Sequence, residues 1–178
     1  MSTQRYGRGA MLLHWGHAVL VLGMIGWGLY MADLPKGPDR SFAIGVHKSF
    51  GIVAILVVAV RLLWRRSHPA PVDLRLSRAE HKLAAAGHHL LYLLLVLTPL
   101  AGYLSASFTQ YPMRFFGIVI PKPGWPDEGI NAFFNASHGF LAWSLMGVIG
   151  IHLAAVVLHS IKKKPVLGRM LPGSKPID

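Results

Sequence analysis

Four long apolar stretches constrain this chain more than any other feature. They run from about Ala10 to Met31, Phe42 to Trp64, Leu83 to Phe108 and Asn131 to Ile161. The first, third and fourth contain no Asp, Glu, Lys or Arg, and the second has only Lys48 near its start and Arg61 near its end. About 20 apolar residues in helical form cross the ~30 Å hydrocarbon core of a bilayer. Every backbone polar group in that core must be satisfied internally, so a stretch of this length folds as a helix. The expected architecture is all-α: an integral membrane four-helix bundle forming a single domain over residues 1–178. With 53% hydrophobic and 14% charged residues, the chain departs from globular proteins, where charged residues are about 25%.

The first stretch could pass for a secretory signal. It is too long and lacks a small-x-small cleavage site around Met31-Ala32-Asp33-Leu34-Pro35, so it is expected to be retained. The segment from about Thr109 to Ile130 is rich in Pro and Gly and reads as an irregular external loop with a short surface helix.

The formal charge of +11 invites a nucleic-acid reading until its distribution is followed. Arg5 and Arg8 lie before the first span. Arg61, Arg65, Arg66, Arg75, Arg78 and Lys82 surround the connection between the second and third, and Lys162, Lys163, Lys164, Arg169 and Lys175 follow the fourth. Thirteen of the 18 Lys and Arg thus fall on one side. The positive-inside rule assigns that side, with both termini, to the cytoplasm. The charge reports orientation, and nucleic acid is not an expected partner. The other side carries Lys36, Arg40, Lys48, Arg114 and Lys122 against Asp33, Asp39, Asp127 and Glu128, a net of +1.

Ten His and no Cys set the chemistry. Without Cys there are no disulfides, thiolate metal sites, iron–sulfur clusters or thioether-linked haem, so any redox centre must be held by imidazole. His14, His17, His47, His88, His89, His138, His152 and His159 fall inside the spans, where an ionisable residue is costly and faces the bundle interior. His138 and His152 are 14 residues apart. At about 100° per residue they are ~40° short of four full turns, hence on one helix face and ~21 Å apart along it. One ion cannot bridge that distance; two stacked sites can use it. His159, seven residues further on, stays on the same face.

Depth selects partners. His47 and His138 lie ~7 and ~10 Å inside the outer ends of their spans and match as an outer pair. For His152 in the inner layer, His14 and His88 lie equally deep, and depth leaves both open. Tetrahedral zinc needs four ligands, which two His per layer do not supply. Haem iron needs two axial ligands in an apolar slot. Arg61, 14 residues after His47 on the same face, is a candidate for a porphyrin propionate, with snorkelling to the interface as the plainer role. A His-rich metal transporter is disfavoured, because its site would want carboxylates near the midplane.

Arg5-Tyr6 with Leu13-His14-Trp15, His47-Lys48-Ser49-Phe50-Gly51-Ile52 ending in Arg61-Leu62-Leu63-Trp64-Arg65, Phe116-Gly117 before Pro121, and Ser137-His138 with His152 and His159 resemble the bacterial cytochrome b561 family. The resemblance spans about Arg5 to Pro172. It implies a dihaem b-type cytochrome of the bacterial inner membrane. By the same resemblance, His14 and His152 ligate the cytoplasmic-side haem, and His47 and His138 the periplasmic-side haem. It further implies electron transfer from superoxide at the periplasmic face to ubiquinone, with His159 as the quinone contact and Arg75 and His88 as further candidates. The alternative is a relay subunit that anchors a separate periplasmic redox or lipid-binding partner.

Overall fold

The computed structural model describes residues 5–71, 76–164 and 166–171. Four helices follow one another: α1 (Arg8–Asp33), α2 (Pro38–Ser67), α3 (Arg78–Ser107) and α4 (Glu128–Ile161). They contain 26, 30, 30 and 34 residues, so at ~1.5 Å per residue each exceeds the ~30 Å hydrocarbon core. All four are long and apolar enough to cross a membrane.

Each helix begins before the apolar stretch that marks it, and α3 and α4 do so on polar N-caps. α3 begins five residues before Leu83 on a capping box: Glu80 N–H donates to Ser77 Oγ at 3.2 Å, and Ser77 N–H to Glu80 Oε2 at 2.7 Å. This is the S-x-x-E signature, which satisfies two orphan donors reciprocally. α4 starts where the Asp127 carboxylate accepts the Ile130 N–H at 2.9 Å, and α2 opens with Pro38 in its first turn, where a missing N–H costs nothing.

Residues 109–127 correct the expected irregular loop and surface helix. Met113–Phe115 (β1) and Ile118–Ile120 (β2) form a small antiparallel hairpin, with Arg114 opposite Val119. Its two-residue turn is Phe116-Gly117, both at positive φ (46° and 90°), as tight hairpins whose turn matches the strand twist require. The physical reason is alternation within a three-residue strand, too short to read against a Pro-rich background. The hairpin leans on α2: Phe116 N–H donates to Ser49 Oγ at 2.9 Å, and the Phe50 and Phe116 rings meet edge to face at 5.2 Å.

Val21, Leu94 and Leu145 form the buried centre of the bundle, flanked by residues such as Ile25, Leu91 and Val148. Large apolar side chains also point outward, among them Val19, Phe140, Trp143 and Ile151. That arrangement would be a liability in water and suits lipid. At one end the segments flanking α1, α2 and α4 are tied together. The Arg5 guanidinium donates to Leu171 O, Trp15 Nε1 donates to Met170 O at 2.8 Å and Arg169 donates to Pro71 O at 2.6 Å. The three cation-rich segments of the sequence therefore share one end of the bundle.

Candidate functional site

Nine of the ten His lie in the helices, and only His68 falls just outside, capping α2 and stacking on Trp64 at 4.2 Å. The interior His occupy two layers. In the outer layer α2 presents His47 and α4 presents His138, their ring centres 6.0 Å apart and their planes at 85°. Two imidazoles on opposite sides of one metal, each nitrogen about 2 Å from it, put ring centres about 6 Å apart, so this pair fits shared axial ligation.

The backbone of α3 orients His138. Its Nδ1–H donates to Thr98 O at 2.8 Å, which leaves the Nε2 lone pair free for a metal, the tautomer that ligating His ordinarily take. One turn further along α3, Gly102 lies against the same ring: a Cβ there would sit 2.9 Å from His138 Nδ1. His47 is cradled similarly by Gly28 of α1, where a Cβ would come 3.3 Å from His47 Cε1. His47 Nδ1 itself is buried without a hydrogen bond. Each outer His thus rests on a glycine of a neighbouring helix, a close approach that small residues permit in membrane bundles.

The inner layer contains more imidazole than one pair needs. His152 of α4 meets His88 of α3 with ring centres 5.6 Å apart and planes at 60°. His14 of α1 has Arg61, His152, His88 and His17 within electrostatic reach. Arg61 Nη2 donates to His14 Nδ1 at 2.9 Å and Nη1 to His17 Nδ1 at 3.2 Å. A guanidinium has donors only, so both rings accept through Nδ1 and carry their proton on Nε2. Ligation of iron through His14 Nε2 therefore requires that proton to transfer to Nδ1 and Arg61 Nη2 to find another acceptor. The Arg61 guanidinium also lies 5.3 Å from the centre of the Tyr92 ring. Among the described residues the ion pairs go to Glu80, and Arg61 has no carboxylate partner.

At the inner end of the same α4 face, His159 Nδ1 is buried without a hydrogen bond, 4.0 Å from Glu80 Oε1. Lys164 closes the other side of Glu80 at 2.5 Å. Arg75 lies outside the described residues. His89 turns away and donates to its own helix at Ala85 O, 2.7 Å.

Spacing and resemblance single out His14, His47, Arg61, His138, His152 and His159, but not which groups support them. Gly28 and Gly102 are two of many helical glycines that could admit a porphyrin face or simply pack, Thr98 acts through its carbonyl alone, and His17 and Tyr92 are identified only by their contacts with Arg61. The spacing of His14 and His17, one turn apart, was the one available signal for a shared partner.

The chain is similar in sequence to known proteins along nearly its whole length. Residues 5–173 match the prokaryotic cytochrome b561 family. "Cytochrome b561 homolog 2" of Escherichia coli (strain K12) is 35% identical over 180 residues, covering 96% of this chain and 93% of that protein. "Probable superoxide oxidase CybB" of Yersinia pestis is 29% identical over 165 residues, covering 90% of this chain and 92% of that protein. The chain belongs to the prokaryotic cytochrome b561 family, multi-pass bacterial membrane proteins of electron transfer for which b-type haem is the implied cofactor.

Proposed function

We propose that this chain is a dihaem cytochrome of the inner membrane that oxidises superoxide on the periplasmic side and reduces ubiquinone near the cytoplasmic side. The observation that carries this reading is the pairing of His47 with His138 at 6.0 Å, with His152 of the same helix in a second imidazole cluster ~21 Å away along the axis. His47 and His138 hold the outer haem, and His14 and His152 the inner one. Residues 1–178 act as one transmembrane domain with both termini cytoplasmic, as the 13 Lys and Arg that precede α1, surround the α2–α3 connection and follow α4 in the sequence favour.

Haem b held by these His pairs would supply a one-electron carrier suited to relay rather than to oxygen binding. His138, fixed by Thr98 O and Gly102, keeps its Nε2 lone pair aimed inward. Arg61, half-buried with neutral partners, offers Nη2 to an inner propionate. On the outer side, Lys48 follows His47 directly and gives local attraction for a small anion where the overall charge is weak. Two superoxide anions each lose one electron to become oxygen, and one ubiquinone takes both electrons with two protons from the cytoplasmic side. His159 contacts the quinone and, beside Glu80, hands on those protons.

The ring contact between His88 and His152 supports a second reading of the inner site, with His88 in place of His14. The first experiment is a haem count by extraction and reduced-minus-oxidised spectra on purified protein. Two b haems per chain are expected, and fewer overturn the two-layer assignment. A superoxide pulse should then reduce the haems of the protein alone. Reduction that needs a co-purified protein would favour the relay subunit.

A further inference from the structure

His17 is 1% exposed, the most thoroughly enclosed imidazole of the bundle, and the outer and inner pairs make no use of it. Its Nδ1 accepts from Arg61 Nη1 at 3.2 Å, while its Nε2 is buried with no hydrogen-bond partner. A polar nitrogen left so in a bilayer interior is destabilising, a cost that ordinary core packing by an apolar side chain would avoid. The side chain earns its place through its other nitrogen.

Arg61 needs such an anchor. It is a half-buried cation with no carboxylate partner among the described residues, held by His14, His17 and the face of Tyr92. Its bond to His14 cannot persist when that ring ligates iron through Nε2, because Nδ1 then carries the proton and no longer accepts. The bond to His17 carries no such conflict. One edge of the guanidinium therefore stays fixed by His17 while Nη2 becomes available to a carboxylate.

We propose that His17 is a positioning residue: it holds Arg61 by Nη1 so that Nη2 faces the propionate of the inner haem and the guanidinium charge raises that haem's reduction potential. This rests on the dihaem reading above. Reduction removes positive charge from the iron, so a cation held nearby favours the reduced form. A guanidinium free to swing away favours it less.

The test is a potentiometric titration of the purified holoprotein, alongside a haem count, for the parent, His17→Leu and His17→Asn. Asn places its side-chain oxygen where His17 has Nδ1 and can accept from Arg61; Leu fills the space without an acceptor. His17→Leu should retain two haems and lower the potential of one, changing its reduced-to-oxidised ratio about tenfold at fixed ambient potential, which is 59 mV for one electron. The second haem should not move, and His17→Asn should titrate like the parent. Unchanged potentials in His17→Leu, equal shifts in both variants, or loss of a haem from His17→Leu would each overturn the proposal. If His17→Leu does not accumulate in the membrane, His17→Val decides by the same criteria. A parent with fewer than two haems would sink the dihaem reading instead, so the two failures are distinguishable.

Discussion

Gly102 and His138 approach so closely that no side chain fits between them: a Cβ on Gly102 would lie 2.9 Å from Nδ1 and 3.0 Å from Cε1 of the His138 ring. The same ring is bound to Thr98 O, one turn earlier on α3. Position 102 thus controls whether a histidine of α4 can use the backbone of α3 as its orienting partner.

Gly102→Ala sets two effects against each other. Alanine in a helix interior gains up to about 1 kcal/mol over glycine. Overpacking a tight contact costs about 1–3 kcal/mol, and the displaced Nδ1–Thr98 hydrogen bond adds about 1 kcal/mol. The loss wins, and the haem-to-protein ratio should fall from two towards one with a lower thermal midpoint. Gly150→Ala, exposed and with nothing within 4 Å of its Cβ, is the control and should leave both readings unchanged.

Gly28→Ala is the milder counterpart. Its Cβ would come 3.3 Å from His47 Cε1, which a shift of a few tenths of an ångström relieves. Both haems should remain, while the low-temperature optical or EPR signature of one of them changes as the His47 ring tilts. Complete loss of a haem here would mean that His47 has no freedom to move, and no spectral change would mean that Gly28 is not its support.

Ser49→Ala probes the hairpin. The hydroxyl, 2% exposed, donates to Gly45 O at 3.0 Å and accepts from Phe116 N–H at 2.9 Å. Phe116 itself sits at φ 46°, a left-handed conformation that costs a non-glycine residue about 1–2 kcal/mol. Removing its hydroxyl partner should accelerate amide exchange across residues 113–120 by roughly fivefold or more, since a net hydrogen bond is worth about 1 kcal/mol. Exchange in α3 and α4 should not change. Phe116→Gly relieves the φ but loses the edge contact with Phe50, worth about 0.5–1.5 kcal/mol, so it should leave the hairpin's exchange nearly unaltered.

His14→Ala and His88→Ala separate the two readings of the inner haem. His14→Ala should reduce the haem count from two to one, and His88→Ala should retain both. The reverse pattern would transfer the ligand role to the His88–His152 pair, whose rings already stand 5.6 Å apart.

Much of this protein was legible from one dimension. Hydropathy located four spans because lipid demands an uninterrupted apolar helix. The distribution of Lys and Arg grouped the flanking segments that the fold ties together at Arg5, Arg169 and Pro71. Helical periodicity put His138 and His152 on one face because a rigid helix converts spacing directly into angle and depth. Contacts between helices do not follow from spacing within them. That His138 takes its tautomer from Thr98 O, that His47 and His138 rest on Gly28 and Gly102, and that Arg61 joins His14 to His17 all depend on how neighbouring helices are rotated about their axes. Only packing determines that rotation, and it drew these glycines and these imidazoles out of a chain rich in both.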